Sequence, residues 1–325
     1  MKFSDLMLDM ATGDASIHDV YIQESVGKIN VSTAIFDAAY KISELPAGEF
    51  MIVQEAADAG LPTDPDKAAG VACEAVKQSL KAFYDLVVNT AKKVKQSAEK
   101  DMKALVAIGK KYGVSANGGN FVNDFVSPLC NAIAADNGKK LSLADKRFIK
   151  GKYAEEIAEN YGTGMTNFLS AYGMEFDNSN LSQAFKPYKS KREINTFKDL
   201  KKNLEYGGKL IKFEKTIEKD KHYTSTVSVN DIKDLAVAIY EVLNVSKGVI
   251  DVAGSASAKK TAMATVDELC GKEDCEAKKV SKTLQAINEG IKDWTEGVTS
   301  ITENITKAFT DSVYALSGAL TGSAE

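Results

Sequence analysis

The chain has 325 residues, 44% of them hydrophobic and 26% charged, with a formal net charge of −4. This excludes a disordered chain, because the apolar fraction suffices for a core, and the charge gives no general case for nucleic acid or an anionic membrane. The length exceeds the roughly 250–300 residues at which single cores stop growing, so two helical subdomains are expected.

Residues 1–30 read as an N-terminal arm. Gly13 and Asp14 are turn formers, and VYIQESVGKINVS is rich enough in β-branched residues for a short strand. Helical periodicity starts near Ser32, with Ile35, Ala38, Ala39 and Ile42 on one face before Pro46, and a short helix is expected over 50–59. The first strong element opens at Pro65, with Asp64 as its N-cap. Ala72, Val76, Leu80, Phe83, Val87, Val94, Ala98, Met102 and Leu105 follow mostly at spacings of three and four. They predict one helix over about 65–110, ~65 Å long at 1.5 Å per residue.

A helix over 121–135 comes next, then another from Leu143, where Ser142 and Asp145 approximate a capping box. Gly162, Gly164 and Gly173 break that pattern. Residues 31–172 thus form a first helical subdomain, 173–195 a linker loop, and 196–325 a second subdomain. In the second, Thr196 caps a lysine-rich helix weakened by Gly207 and Gly208, and the β-branched TSTVSV at 224–229 suggests a short strand.

No proline follows Pro187, so long helices are permitted at the C-terminus. There Val280, Leu284, Ile287, Ile291, Trp294, Val298, Ile301 and Ile305 alternate spacings of four and three. This is a narrow heptad seam that wants a helix partner. Ile232, Leu235, Ile239, Val242, Val249 and Val252 supply an apolar face upstream. The simplest pairing is an antiparallel αα-hairpin turned by CGKEDC; the alternative joins the seam between subunits. Residues 312–324 carry no charge, and read as either a fraying terminus or a docking tail. The expected fold is all-α: a long-helix bundle with a C-terminal antiparallel, coiled-coil-like hairpin and at most minor β structure.

Chemistry is scarce in the pattern. Only two histidines occur, His18 and His222, and neither sits near a nucleophile motif, so no catalytic residue, metal site or cofactor is expected. Glu155, Glu156 and Glu159 read as a solvated helix face. Among the cysteines, Cys73 and Cys130 read as small buried residues, and Cys270 and Cys275 as free thiols at a helix turn. From Lys186 to Lys221 twelve Lys/Arg face six Asp/Glu. Lys198, Lys201, Lys202, Lys209, Lys212, Lys215 and Lys219 are therefore the candidate basic surface, for phosphate or simply for water. With no secretory signal and no run of about 20 apolar residues, the chain is expected in a cytoplasm.

The run GDASIHDVYIQESVGKINVSTAIFDAAYKI, residues 13–42, resembles the starts of virion structural proteins of tailed bacteriophages. The resemblance implies a particle component, inside the head or at the portal, present in many copies, that does no chemistry and binds other virion proteins or itself through helical surfaces. Two other functions fit the helical pattern: an α-helical pore-forming or effector protein, and a nucleic-acid-binding protein using residues 186–221.

Overall fold

The computed structural model describes residues 15–43, 65–116, 119–138, 140–143, 148–171, 226–271 and 277–321. The helices are α1 (Ala15–Ser43), α2 (Pro65–Lys111), α3 (Ser127–Asn137), α4 (Gly151–Ala171), α5 (Val229–Ala253), α6 (Ala256–Gly271) and α7 (Ala277–Thr321). A two-stranded antiparallel sheet joins β1 (Lys140–Ser142) to β2 (Thr226–Ser228), with Leu141 opposite Val227. The all-α bundle expected from the sequence is present, and the strand expected at 224–229 is found over Thr226–Ser228 as the second strand of this sheet.

Helix α2 is the axis. Its 47 residues extend ~70 Å at 1.5 Å per residue, and the apolar positions read from the sequence are its buried face: Val76, Leu80, Phe83, Val87, Val94 and Leu105 are all at most 1% exposed. Pro65 opens it, where a missing N–H costs nothing, and Gly113, at φ +71°, turns the chain away after it. Helices α1, α5 and α7 pack along α2, α6 crosses its beginning, and α4 packs on α5.

Several expectations are corrected. The segment 15–30 is not extended, because it is the first half of α1. Helix α4 runs through Gly162 and Gly164. Each glycine costs about 1 kcal/mol in a helix, but burial of Tyr161, Met165, Phe168 and Leu169 on this helix opposes the cost. Ser142 ends β1 instead of capping a helix. The capping box sits at α5, where Asp231 N–H donates to the Ser228 hydroxyl and Ser228 N–H donates back to the Asp231 carboxylate at 2.8 Å.

The helix expected over 121–135 is found, with a π turn at Val122–Val126 ahead of α3. Pro128 falls in the first turn of α3, where its lack of an N–H is tolerated. Phe125 lies where a Cβ on Gly109 would stand, so only glycine at 109 lets that ring seat on α2. The linker 173–195, the expected helix at 50–59 and the lysine-rich segment lie outside the described residues. Helices from either side of that linker share one core, α4 with α5 and α2 with α7.

Candidate interaction surface

The α7 seam is covered by the chain itself. Leu284, Ile287, Ile291, Trp294, Val298 and Ile305 are buried and Ile301 is half-buried, while the side chain of Val280 lies outside the described residues. The expected partner was 232–252, but the seam packs on α2 and α1, and α5 packs elsewhere on α2 and on α4. Trp294 meets Phe83 and Phe168 at centroid distances of 6.3 and 5.1 Å. Further along, the Thr310 hydroxyl donates to Asp101 at 3.1 Å.

Three buried hydroxyls of α7 are absorbed by its own backbone. Thr295, Thr302 and Ser312 are buried, and each hydroxyl donates to the carbonyl four residues earlier. The uncharged tail is neither frayed nor displayed through residue 321. Val313, Ala315 and Leu316 are buried, and Ser312 accepts the Ile149 N–H at 3.0 Å. Only Tyr314 in this stretch is a large exposed apolar residue, at 45%. The seven lysines of the basic surface, Lys198 to Lys219, lie outside the described residues.

The exposed apolar surface that the sequence reading missed is on α1. One side of this helix enters the core through Ser25, Ile29, Thr33 and Phe36. Three polar contacts accompany that packing: Lys93 on α2 pairs with Asp19 at 2.6 Å, and on α7 Lys292 and Asn288 reach Asp37 at 2.5 and 2.9 Å. Held this way, α1 presents Ile17, Val20, Tyr21, Val31 and Ile35 to solvent, each between 38% and 61% exposed. At 100° per residue these five share one face, and Glu24 and Lys28 lie in its middle, joined by a 2.7 Å ion pair. That pair raises the Lys28 pKa, first through the hydrogen bond to Glu24 and then through its charge.

No family model, curated protein or solved structure matches the chain. The chemistry available to it is therefore read from the geometry alone. No described helix is long and apolar enough to cross a membrane, and among the described residues no three ligating side chains gather as they would around a metal ion. A groove of about 570 Å³ runs beside α2 and α5, floored by Met102, Val106 and Leu243 with Lys103 and Lys110 at its edge.

Three carboxyl groups are held near neutrality by packing. Burial, with the charges of Glu155 and Glu159 behind it, pushes Glu241 up to about 7, and among the described residues its Oε1 has no hydrogen-bond partner. Burial, Glu155 and Asp231, opposed by Lys233, bring Asp234 to about 6. Burial brings Asp101 to about 7 despite the Thr310 hydroxyl and Lys100. Asp231 goes the other way. Burial would raise it, but hydrogen bonds from the Ser228 hydroxyl, the Ser228 N–H and the Gly151 N–H, with Lys150 nearby, hold it below its usual value. Glu155, Glu156 and Glu159 are exposed as expected.

The sign of the pH dependence follows. Between roughly pH 4, where unfolded carboxyls titrate, and pH 7, the folded chain keeps protons on Asp101, Asp234 and Glu241 that the unfolded chain has lost. Stability from these groups is complete below that window and is lost as pH rises through it. Asp231 acts only below the window, where its contribution disappears as pH falls. Thermal unfolding should therefore show a lower Tm at pH 8 than at pH 5, and Glu241→Gln or Asp101→Asn should flatten the slope. A Tm that climbs over the same range contradicts the assignment.

Proposed function

We propose that this chain is a non-enzymatic structural or assembly component of a phage-like virion, held in place by helix packing against other particle proteins. The observation that carries the reading is α1. The segment that resembles the starts of virion structural proteins is this helix, and it is also the helix that leaves a row of apolar side chains in water. Exposed apolar residues gathered on one helix face, here in two patches on either side of the Glu24–Lys28 pair, mark contact with another macromolecule. Helices α2 and α7 supply the mount for it, packing against its buried side.

Particles purified from the producing cells decide the matter. Quantitative mass spectrometry of washed particles is expected to find this chain in multiple copies per particle, resistant to removal by salt because the contact is apolar. Absence from the particles, with the chain abundant in the lysate, rules the proposal out.

A further inference from the structure

The outer face of α1 is a heptad seam in its own right. Ile17, Tyr21, Glu24, Lys28, Val31 and Ile35 follow one another at spacings of four, three, four, three and four, the a/d rhythm of a coiled coil. All but Glu24 and Lys28 are large apolar residues, and those two are among the more exposed side chains on the helix, at 53% and 64%.

The seam has a second property: its order is self-complementary. Positions 17 and 35, 21 and 31, and 24 and 28 are equidistant from residue 26. Two copies of α1 laid antiparallel about a two-fold axis at the level of Val26 therefore stack Ile17 on Ile35, Tyr21 on Val31 and Glu24 on Lys28, and each layer occurs twice. Antiparallel coiled coils pair an a position with a d position in each layer, and this register does so throughout. The parallel alternative in register sets Glu24 on Glu24 and Lys28 on Lys28, which like-charge repulsion disfavours. A lipid surface is a poorer occupant, because it would desolvate the Glu24 carboxylate and the Lys28 ammonium with nothing to replace water.

We propose that this face of α1 is an isologous interface at which two copies of the chain pair antiparallel, each Glu24 meeting Lys28 of the other. The contact is symmetric by construction, as a two-fold interface requires. Nineteen residues at 1.5 Å each give a strip ~28 Å long and about 10 Å wide, on the order of 300 Å², well below the roughly 800 Å² per partner of a standard stable interface. The dimer is accordingly weak in free solution and strengthened wherever copies are held at high local concentration. From the proposed function it takes only the assignment of this face as a contact surface. A dimer in solution does not need a particle, and a particle component can offer this face to another protein, so the two readings fail separately.

Light scattering of the full chain over a concentration series reaching millimolar tests it. The mass is expected to rise from one chain to two. Glu24→Lys or Lys28→Glu alone places like charges in both central layers and should weaken the dimer by on the order of tenfold or more. Mixing these two variants puts Lys at 24 and 28 on one chain against Glu at both positions on the other. The mixture is therefore expected to recover the two-chain mass, although neither chain keeps its own ion pair. Val31→Glu should abolish pairing, with far-ultraviolet circular dichroism unchanged in every variant because these side chains are in water. A one-chain mass throughout the series overturns the proposal. So does a dimer indifferent to the single charge reversals, or a mixture that fails to recover.

Discussion

Trp294→Ala is expected to cost about 3–5 kcal/mol of unfolding free energy, the range for removing a large aromatic side chain from a core. Trp294 is 1% exposed and belongs to α7, while its neighbours come from elsewhere: Phe83 from α2 and Phe168 from α4. Phe83 and Phe168 meet edge to face at 5.0 Å, and Tyr84 adds a second edge contact to Phe168 at 5.8 Å. Such pairs contribute about 0.5–1.5 kcal/mol beyond the area they bury, so truncation removes both packing and ring geometry where three helices meet. A cavity in that position cannot close cheaply, because each wall is a different helix with contacts of its own. Urea unfolding followed by circular dichroism should show the midpoint shift, and Tyr314→Ala, on an exposed position of the same helix, should move it by less than about 0.5 kcal/mol. A loss below about 1 kcal/mol for Trp294→Ala would mean that α7 is not seated on α2 through this cluster.

The sequence made some of this readable and concealed the rest for physical reasons. Helix α2 was legible because its largest apolar residues fall on a buried side and recur mostly at three and four, although the helix is buried further round, at Tyr84, Leu86 and Ala91, than that pattern shows. The α7 seam was legible as a seam, but periodicity describes one surface and says nothing about which other surface covers it. The choice of α2 over 232–252 depends on where the chain returns. Helix α1 was misread because it has apolar residues on two faces. Ile29 and Phe36 point inward while Ile17, Val31 and Ile35 point outward, and the superposition erases the single stripe that marks an amphipathic helix. What remained visible was a β-branched run resembling a strand. The signal that would have found it is the alternation of four and three from Ile17 to Ile35, the same rule that exposed α7. Glu241 was hidden for another reason: only the packing of α4 on α5 distinguishes it from the other acids.

Removing the bond between Cys73 and Cys270 is expected to lower stability by about 2–4 kcal/mol. Cys270 was expected to be free and Cys73 merely buried. The structure joins them across 197 residues of sequence, with their Cα atoms 6.0 Å apart. No local pattern announces such a pair, because it arises only when α6 is brought against the beginning of α2. Cys275 lies outside the described residues. The bond matters because it ties α6 covalently to α2: among the described residues Val266 and Leu269 are buried and Met263 packs against the core, while the Lys77–Asp267 pair at 2.5 Å is half in water, where ion pairs contribute little. Reduction should therefore lower the Tm and raise amide exchange first in α6, leaving α2 and α7 protected. Cys130 does not interfere. Burial pushes its thiol up to about 11, opposed by Lys233 and aided by Asp234, so it is scarcely thiolate at neutral pH and exchanges slowly. Cys73→Ser combined with Cys270→Ser should reproduce the reduced protein, and a peptide map without reductant should contain the joined peptides. Identical melting with and without reductant would mean that the two thiols are not bonded in the folded chain.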